Sequence, residues 1–309
     1  MIHTILGAGG PVSNALASQL QNNTATLRLV SRRPIAATGA TSWTRADLTN
    51  YDETLAAAKG SDVIYLCAGL AYDKNIWREQ WPKVMNNAIS AAKQNNARLI
   101  FFDNVYSYGL VNGPMTEDTP YNPVSVKGEI RAKIATQLME EAKAGNIKAS
   151  ILRGADFYGA ETLNSLYDLM VLAKYAKKEK AQWVGDVSKL HVFTYIPDAG
   201  KAMYLLGQHP ESDNQIWHAP TAAPLSGDQF IKLAADVFGV KASYMSINKL
   251  MMRIFGLFNK NVGEMVEMYY QYDHDYIFNS DKFEKAFNVK PTAYRDGIVQ
   301  LKDTMFKGE

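Results

Sequence analysis

Short apolar runs alternate with longer stretches of helical period through the first half of the chain, the pattern of repeated βα units on a parallel sheet. Residues 2–6 read as a strand, 12–22 as a helix with Val12, Leu16 and Leu20 on one stripe, and 26–30 as a second strand. The rhythm repeats with a helix over 52–58, a strand over 62–67, a helix over 81–94, and at 98–102 a strand apolar on both faces, as a central strand must be. A long helix over 129–143, stopped at Gly145, and a strand over 148–152 close the series. Beyond about residue 160 the alternation loosens. Helices over 163–177, 228–237 and 262–270 mix there with short strands over 181–184 and 192–195. The predicted class is α/β: a doubly wound parallel sheet over 1–160, with a returning segment near 192–218, and a smaller mixed α/β substrate lobe over 161–309. No linker rich in Gly, Ser or Pro separates them, so a cleft between packed lobes is the expected ligand site.

Composition narrows the functional classes. The chain has 309 residues, 47% hydrophobic and 21% charged, enough to build a large core without disulfides or metals. Thirty-three Lys and Arg against 31 Asp and Glu leave a net charge of +2, which excludes nucleic-acid binding by bulk electrostatics, so no nucleic-acid partner is expected. The single cysteine, Cys67, rules out an internal disulfide and suits a reducing compartment. The longest greasy stretch, 250–258, is short and carries Arg253, so neither a membrane span nor a membrane partner is expected. With no basic n-region followed by an apolar h-region at the start, the expected location is cytoplasmic. His191 and His218 have no ligand spacing to other His, Cys or acids, and no metal site is expected.

The sharpest local signal is Gly7-Ala8-Gly9-Gly10-Pro11-Val12-Ser13, between the first strand and the first helix. A dinucleotide pyrophosphate needs a turn without side chains, where backbone N–H groups and the positive end of a helix can approach its oxygens. Ser13 stands where a third glycine would complete the pattern. The second strand ends in Val30-Ser31-Arg32-Arg33-Pro34, with no carboxylate for a ribose diol and two guanidiniums suited to a 2′-phosphate. The expected cofactor is therefore NADP, in preference to NAD, on a Rossmann-type fold.

Further motifs run along the chain: Ala46-Asp47-Leu48-Thr49, Cys67-Ala68-Gly69, Val105-Tyr106-Ser107-Tyr108-Gly109, Thr116 to Pro120, Leu152-Arg153 with Phe157-Tyr158-Gly159, Trp183 to Asp186, Phe193 to Asp198, and Pro291-Thr292. As a set with the glycine turn they resemble the extended short-chain dehydrogenase/reductase superfamily, its NAD-dependent epimerase/dehydratase group, over nearly the full length. The resemblance implies that Gly7, Ala8, Gly9, Gly10, Pro11 and Val12 hold the pyrophosphate, that Asp47 and Leu48 lie near the adenine, and that Cys67, Ala68 and Gly69 flank the cofactor. It also implies a homodimer through the helices at 81–94 and 129–143.

Matched to the family, its Tyr-x-x-x-Lys pair and its Ser or Thr are altered: the hydroxyl position falls at or near Asn104 and, counted without gaps from Asn122-Pro123, the tyrosine position on Lys127 and the lysine position on Arg131. A shift of two residues would place Glu129 and Lys133 there instead, and a solvated, positively charged helix start is the plainer reading of Lys127 and Arg131. By matching, Asn104 becomes a weak donor to a carbonyl oxygen and Arg131 the group nearest the nicotinamide ribose. Lys127 becomes a candidate proton donor, if burial or a cationic neighbour depresses its pKa. Asp156, just past the strand at 148–152, is a second candidate acid or base, with a loop-capping carboxylate as the plainer reading. The Met and Tyr residues from Tyr244 to Tyr276 suit a substrate pocket or a core equally. Two readings remain open: an oxidoreductase or epimerase/dehydratase-like enzyme acting on a small carbonyl or nucleotide-sugar-type substrate through a non-standard site, or a catalytically silent NADP(H)-binding redox sensor.

Overall fold

The computed structural model describes residues 1–23, 26–36, 41–159 and 165–306. In chain order it runs β1 (Ile2–Leu6), α1 (Pro11–Asn23), β2 (Thr26–Ser31), β3 (Thr41–Arg45), α2 (Tyr51–Ala58), β4 (Val63–Leu66), α3 (Lys74–Asn95), β5 (Arg98–Asn104), β6 (Pro114–Met115), α4 (Val126–Lys143) and β7 (Lys148–Gly154). There follow β8 (Asp156–Tyr158), α5 (Ala173–Ala176), β9 (Ala181–Val184), β10 (Leu190–His191), β11 (Phe193–Tyr195), α6 (Ile196–Gln208), β12 (Ile216–His218), β13 (Leu225–Ser226) and α7 (Gly227–Phe238). The last elements are β14 (Tyr244–Ile247), α8 (Lys249–Phe258), α9 (Lys260–Met265), β15 (Ile277–Phe278), α10 (Asp281–Phe287) and α11 (Tyr294–Thr304).

Seven strands form one sheet in the order β12-β7-β5-β4-β1-β2-β3, with every neighbouring pair parallel. This is the doubly wound Rossmann-type arrangement, and the strand order reverses between β1 and β4, where such sheets open a crevice beyond the strand ends. One face buries Trp81, Phe101 and Leu138 under α2, α3 and α4, and the other buries Leu16, Leu152 and Met203 under α1 and α6. A separate aromatic core of Tyr167, Trp183, Phe193 and Phe230 serves the later elements.

Several elements differ from the sequence reading, each for a local reason. The helix expected at 81–94 begins seven residues earlier, at Lys74, because Asp73 accepts the N–H groups of Asn75 and Ile76 and caps it there. Pro82 lies in its interior on an exposed position. Ser125 caps α4 through the Gly128 N–H, so that helix starts at Val126 and takes in Lys127. β3 is an edge strand of Thr, Ser, Trp, Thr and Arg with no fully buried residue, and so has no apolar run to announce it. The helix expected over 163–177 has its first two residues outside the described part and passes through a π-helical stretch, Asp168–Leu172, before α5. The helix expected over 262–270 divides between α9 and a 3₁₀ turn, Val266–Gln271.

β12 delivers His218 into a fully buried position: the Tyr108 hydroxyl lies 2.8 Å from Nε2, and Nδ1 donates to the Asn279 carbonyl at 2.7 Å. Burial pulls its pKa down to about 3, and the Arg153 guanidinium also opposes protonation. The free imidazole of an unfolded chain takes its proton near pH 6.5, so below that pH the unfolded state binds a proton that the folded state refuses. Stability is therefore intact above about pH 6.5 and declines on acidification toward pH 3, by about 1.4 kcal/mol for each pH unit from this residue. In His218→Gln, urea midpoints measured across that range should fall less steeply, by close to one proton; an unchanged slope would mean His218 titrates freely in the fold.

Candidate cofactor and substrate site

The turn between β1 and α1 is built by backbone constraints that only glycine meets. Gly7 (φ +86°) and Gly9 (φ +99°) are left-handed, and a Cβ on Gly7 would lie 2.4 Å from the Ala68 Cα at the end of β4. The N–H groups of Gly7 and Ala8 both donate to the Val30 carbonyl, tying the turn to β2. Pro11 opens α1, whose first turn carries no acid. Ser13 is compatible with close packing: it is buried, its hydroxyl accepts from the Gly10 N–H and donates to the Gly10 carbonyl. The tight approach on this helix comes instead from α6, where a Cβ on Gly200 would sit 2.5 Å from the Ala15 Cβ. The bare turn, the acid-free helix start and the switch-point position fit a dinucleotide pyrophosphate.

Around the turn stand the other residues matched to the cofactor. Arg32 and Arg33 are exposed past the end of β2, with the Ser31 hydroxyl donating to the Arg33 carbonyl and accepting from Trp43 Nε1. Asp47 folds into an Asx turn: the Thr49 backbone N–H, its hydroxyl and, more weakly, the Arg32 charge hold its carboxyl below the usual range. The Leu48 carbonyl accepts from Asn87. Cys67 follows β4 directly, and burial pushes its thiol up to about 12, so it is inert as a nucleophile. Ala68 abuts Gly7, and Gly69 is exposed.

β5 and β7 bring the next group together. Asp103 pairs in register with Arg153, and its carboxylate lies 3.2 Å from Arg153 Nε and 3.3 Å from Arg131 Nε. All three are buried. The Arg131 guanidinium rests 4.1 Å above Trp81, beside Trp77 and Phe101; that of Arg153 lies between Tyr108 and Tyr121 and donates to the Tyr121 hydroxyl. Arg131 thus turns into the protein, against an acid and three rings, where the matched family lysine would turn to a ribose. Asn104 accepts the Tyr106 N–H through Oδ1, which leaves its amide N–H₂ as the polar group it offers outward.

Lys127 occupies the first turn of α4. It is fully buried, and its ammonium donates to Glu264 Oε2 at 2.6 Å, Glu267 Oε1 at 2.7 Å and the Glu264 carbonyl at 3.0 Å, with the Tyr72 ring 4.5 Å away. An ammonium has three N–H donors, so none remains for a substrate. The two carboxylates also accept from backbone N–H groups, Glu264 from Lys74 and Glu267 from Val126, and so cap α3 and α4 at once. Lys260 adds an ion pair to Asp73. The segment from α9 through the 3₁₀ turn is thereby clamped over the starts of both helices.

Asp156 pairs in register with Phe193 where β8 meets β11. Its Oδ2 lies 2.9 Å from His191 Nε2, which is also 3.3 Å from the Tyr167 hydroxyl, and His191 stacks on Tyr276. The phenols of Tyr72, Tyr106, Tyr270, Tyr272 and Tyr276 all sense the Asp156 charge; with burial as the larger cause, it pushes Tyr106 up to about 12. The Tyr106 and Tyr72 hydroxyls are 3.5 Å apart. Of the Met and Tyr residues from Tyr244 to Tyr276, Met252, Tyr269 and Tyr272 belong to the aromatic core, while Tyr270 and Tyr276 line a small recess with Gly109, Leu110 and Met115.

The model of the NAD dependent epimerase/dehydratase family matches residues 3–219, more than two thirds of the chain. The chain belongs to that family. Solved structures of similar fold include DesIV, a dTDP-glucose 4,6-dehydratase from Streptomyces venezuelae with NAD and TYD bound: 14% identity, 98% of each chain covered, TM-score 0.79. A UDP-glucuronic acid 4-epimerase from Bacillus cereus in complex with NAD is 16% identical over 99% of this chain and 100% of that one, TM-score 0.80. A UDP-N-acetylglucosamine 4-epimerase, also from Bacillus cereus, is 12% identical over 100% and 98%, TM-score 0.80. No curated protein sequence matches the chain. Within the epimerase/dehydratase family, then, this chain has the fold of its solved neighbours and a glycine turn between β1 and α1.

Proposed function

We propose that the protein is an NADP-dependent oxidoreductase or epimerase/dehydratase-like enzyme that acts on a small carbonyl or nucleotide-sugar-type substrate. The observation that carries the reading is the bare turn at the β1–α1 junction followed, at the end of β2, by Arg32 and Arg33 with no carboxylate from Ser31 to Ala36. A bound nicotinamide dinucleotide supplies two-electron oxidation and reduction. The pyrophosphate is assigned to Gly7, Ala8, Gly9, Gly10, Pro11 and Val12, the 2′-phosphate to Arg32 and Arg33, and the adenine and ring edges to Asp47, Leu48, Cys67, Ala68 and Gly69. Asn104 would hold the substrate carbonyl through its amide N–H₂. Because the ammonium of Lys127 is fully engaged and Arg131 is turned inward, both are assigned positioning roles, and the Asp156–His191 pair takes over proton exchange.

Residence in the cytoplasm belongs to the same reading and accords with the single cysteine. A homodimer through α3 and α4 would be a polar contact, since their outward positions include Arg78, Glu79, Lys83, Glu129, Lys133 and Glu140. The clamp on Lys127 favours one other reading, an NADP(H)-binding protein without turnover.

Titration with NADPH and NADH tests the proposal, read by tryptophan fluorescence, because Trp43 is hydrogen-bonded to the residue just before the two arginines. NADPH should bind roughly 10- to 100-fold tighter than NADH, and Arg32→Ala combined with Arg33→Ala should erase that preference. Failure of both dinucleotides to bind would overturn the reading. On a carbonyl and nucleotide-sugar panel, Asp156→Asn should lower kcat by about 100-fold or more with NADPH affinity unchanged; wild type that binds NADPH and turns over nothing would favour the silent reading.

A further inference from the structure

Among the described residues, five of the thirteen large apolar side chains left in solvent lie on α8, the two most exposed among them. In α8, Leu250, Ile254, Leu257 and Phe258 follow the i, i+4, i+7, i+8 spacing of a single helical face, and they are 65%, 48%, 81% and 87% exposed. Met252 anchors the opposite face in the aromatic core, and Gly256 packs closely on Gly263 of α9, so the helix is held firmly with its apolar stripe outward. The charge around it is one-sided. From 237 to 263 the chain carries Lys241, Lys249, Arg253 and Lys260 and no Asp or Glu, in a protein whose net charge is only +2. Lys260 is engaged with Asp73, Arg253 is exposed beside the stripe, and Lys249, exposed at the start of the helix, lies over the Tyr269 ring.

We propose that α8 is a membrane-surface helix, which seats the protein on an anionic phospholipid bilayer with Leu257 and Phe258 entering the acyl boundary and Lys249 and Arg253 meeting the headgroups. An amphipathic helix with an apolar face and basic flanks lies in the interface plane, its affinity set jointly by buried apolar area and by attraction to anionic lipid. No helix of the described residues is long and apolar enough to cross a membrane, so the contact is peripheral. A second copy is the poorer occupant: a twofold contact would press one acid-free, cationic face against its twin. The seat adjoins the site, because α8 leads directly into α9 and thence to Glu264 and Glu267, which close over α3 and α4.

The test is co-sedimentation of the full-length protein with vesicles of phosphatidylcholine alone and of phosphatidylcholine mixed with phosphatidylglycerol, beside light scattering for oligomeric state. Binding should favour the anionic vesicles by about 10-fold or more and weaken with salt. Leu257→Glu and Phe258→Glu should each abolish it while leaving the circular dichroism and thermal midpoint unchanged, since both side chains are in solvent. Arg253→Glu should remove the preference for anionic lipid. No binding to anionic vesicles, binding that survives Leu257→Glu, or a stable dimer that Leu257→Glu dissociates would each overturn the proposal.

Discussion

Asp103→Ala should cost about 3–5 kcal/mol of unfolding free energy, because it strips the acid from between two buried guanidiniums. Arg131 and Arg153 are 7% and 0% exposed, and Asp103 is the carboxylate within ion-pair distance of both. Their aromatic neighbours offset part of the loss, since Trp81 lies 4.1 Å from one guanidinium and Tyr108 4.6 Å from the other. Rings cannot replace a counter-charge, however, and two like charges in one interior repel. Asp103→Asn, which keeps shape and one acceptor oxygen, should fall between wild type and the alanine variant. Urea unfolding at constant m-value measures this; a loss below about 1 kcal/mol would show that the arginines find water or another acceptor.

Lys127→Ala should destabilise by a similar ~3–5 kcal/mol, whatever it does to turnover. It would leave Glu264 and Glu267 facing each other without the cation that draws them together, and they are the acceptors for the first N–H groups of α3 and α4. An exposed pair such as Lys83 with Glu79 is the control, with an expected effect under about 0.5 kcal/mol. Rescue separates structure from chemistry: Lys127→Met with Glu264→Gln and Glu267→Gln removes all three charges together and should recover most of the lost stability. If Lys127→Ala instead left stability intact and eliminated turnover, proton donation by Lys127 would regain its place.

The contrast between these residues and the glycine turn explains what was legible in the sequence. Gly7 and Gly9 answer to a constraint of the residue itself, a positive φ in a tight strand-to-helix turn, so that requirement is written at the position; the close approach of Ala68 to Gly7, 61 positions on, is not. The buried strands β4 and β5 were readable for the same reason, since an unbroken apolar run declares burial on both faces. The helix start at Lys74 was hidden because polar Arg78, Glu79 and Gln80 separate Ile76 and Trp77 from the apolar run that follows, and β3 because an exposed edge needs no apolar alternation. Lys127 falls two residues before the helix read over 129–143, its partners lie 137 and 140 positions away, and nothing near it in the chain distinguishes an ammonium aimed at a substrate from one aimed at two glutamates. Asp156 and His191 meet only because β8 and β11 pair side by side.

The double cap supplied by Glu264 and Glu267 also sets an order of events during synthesis. Once β12 has been made every strand of the large sheet exists, yet the Lys74 and Val126 N–H groups at the starts of α3 and α4 still lack their acceptors and Lys127 lacks its counter-ions. The Lys74 N–H waits for a residue 190 positions downstream. Until that residue emerges, the nascent chain holds a cation in the first turn of α4 without its carboxylate partners. A chain cut short before residue 264 is thus marked, by charge alone, as unfinished.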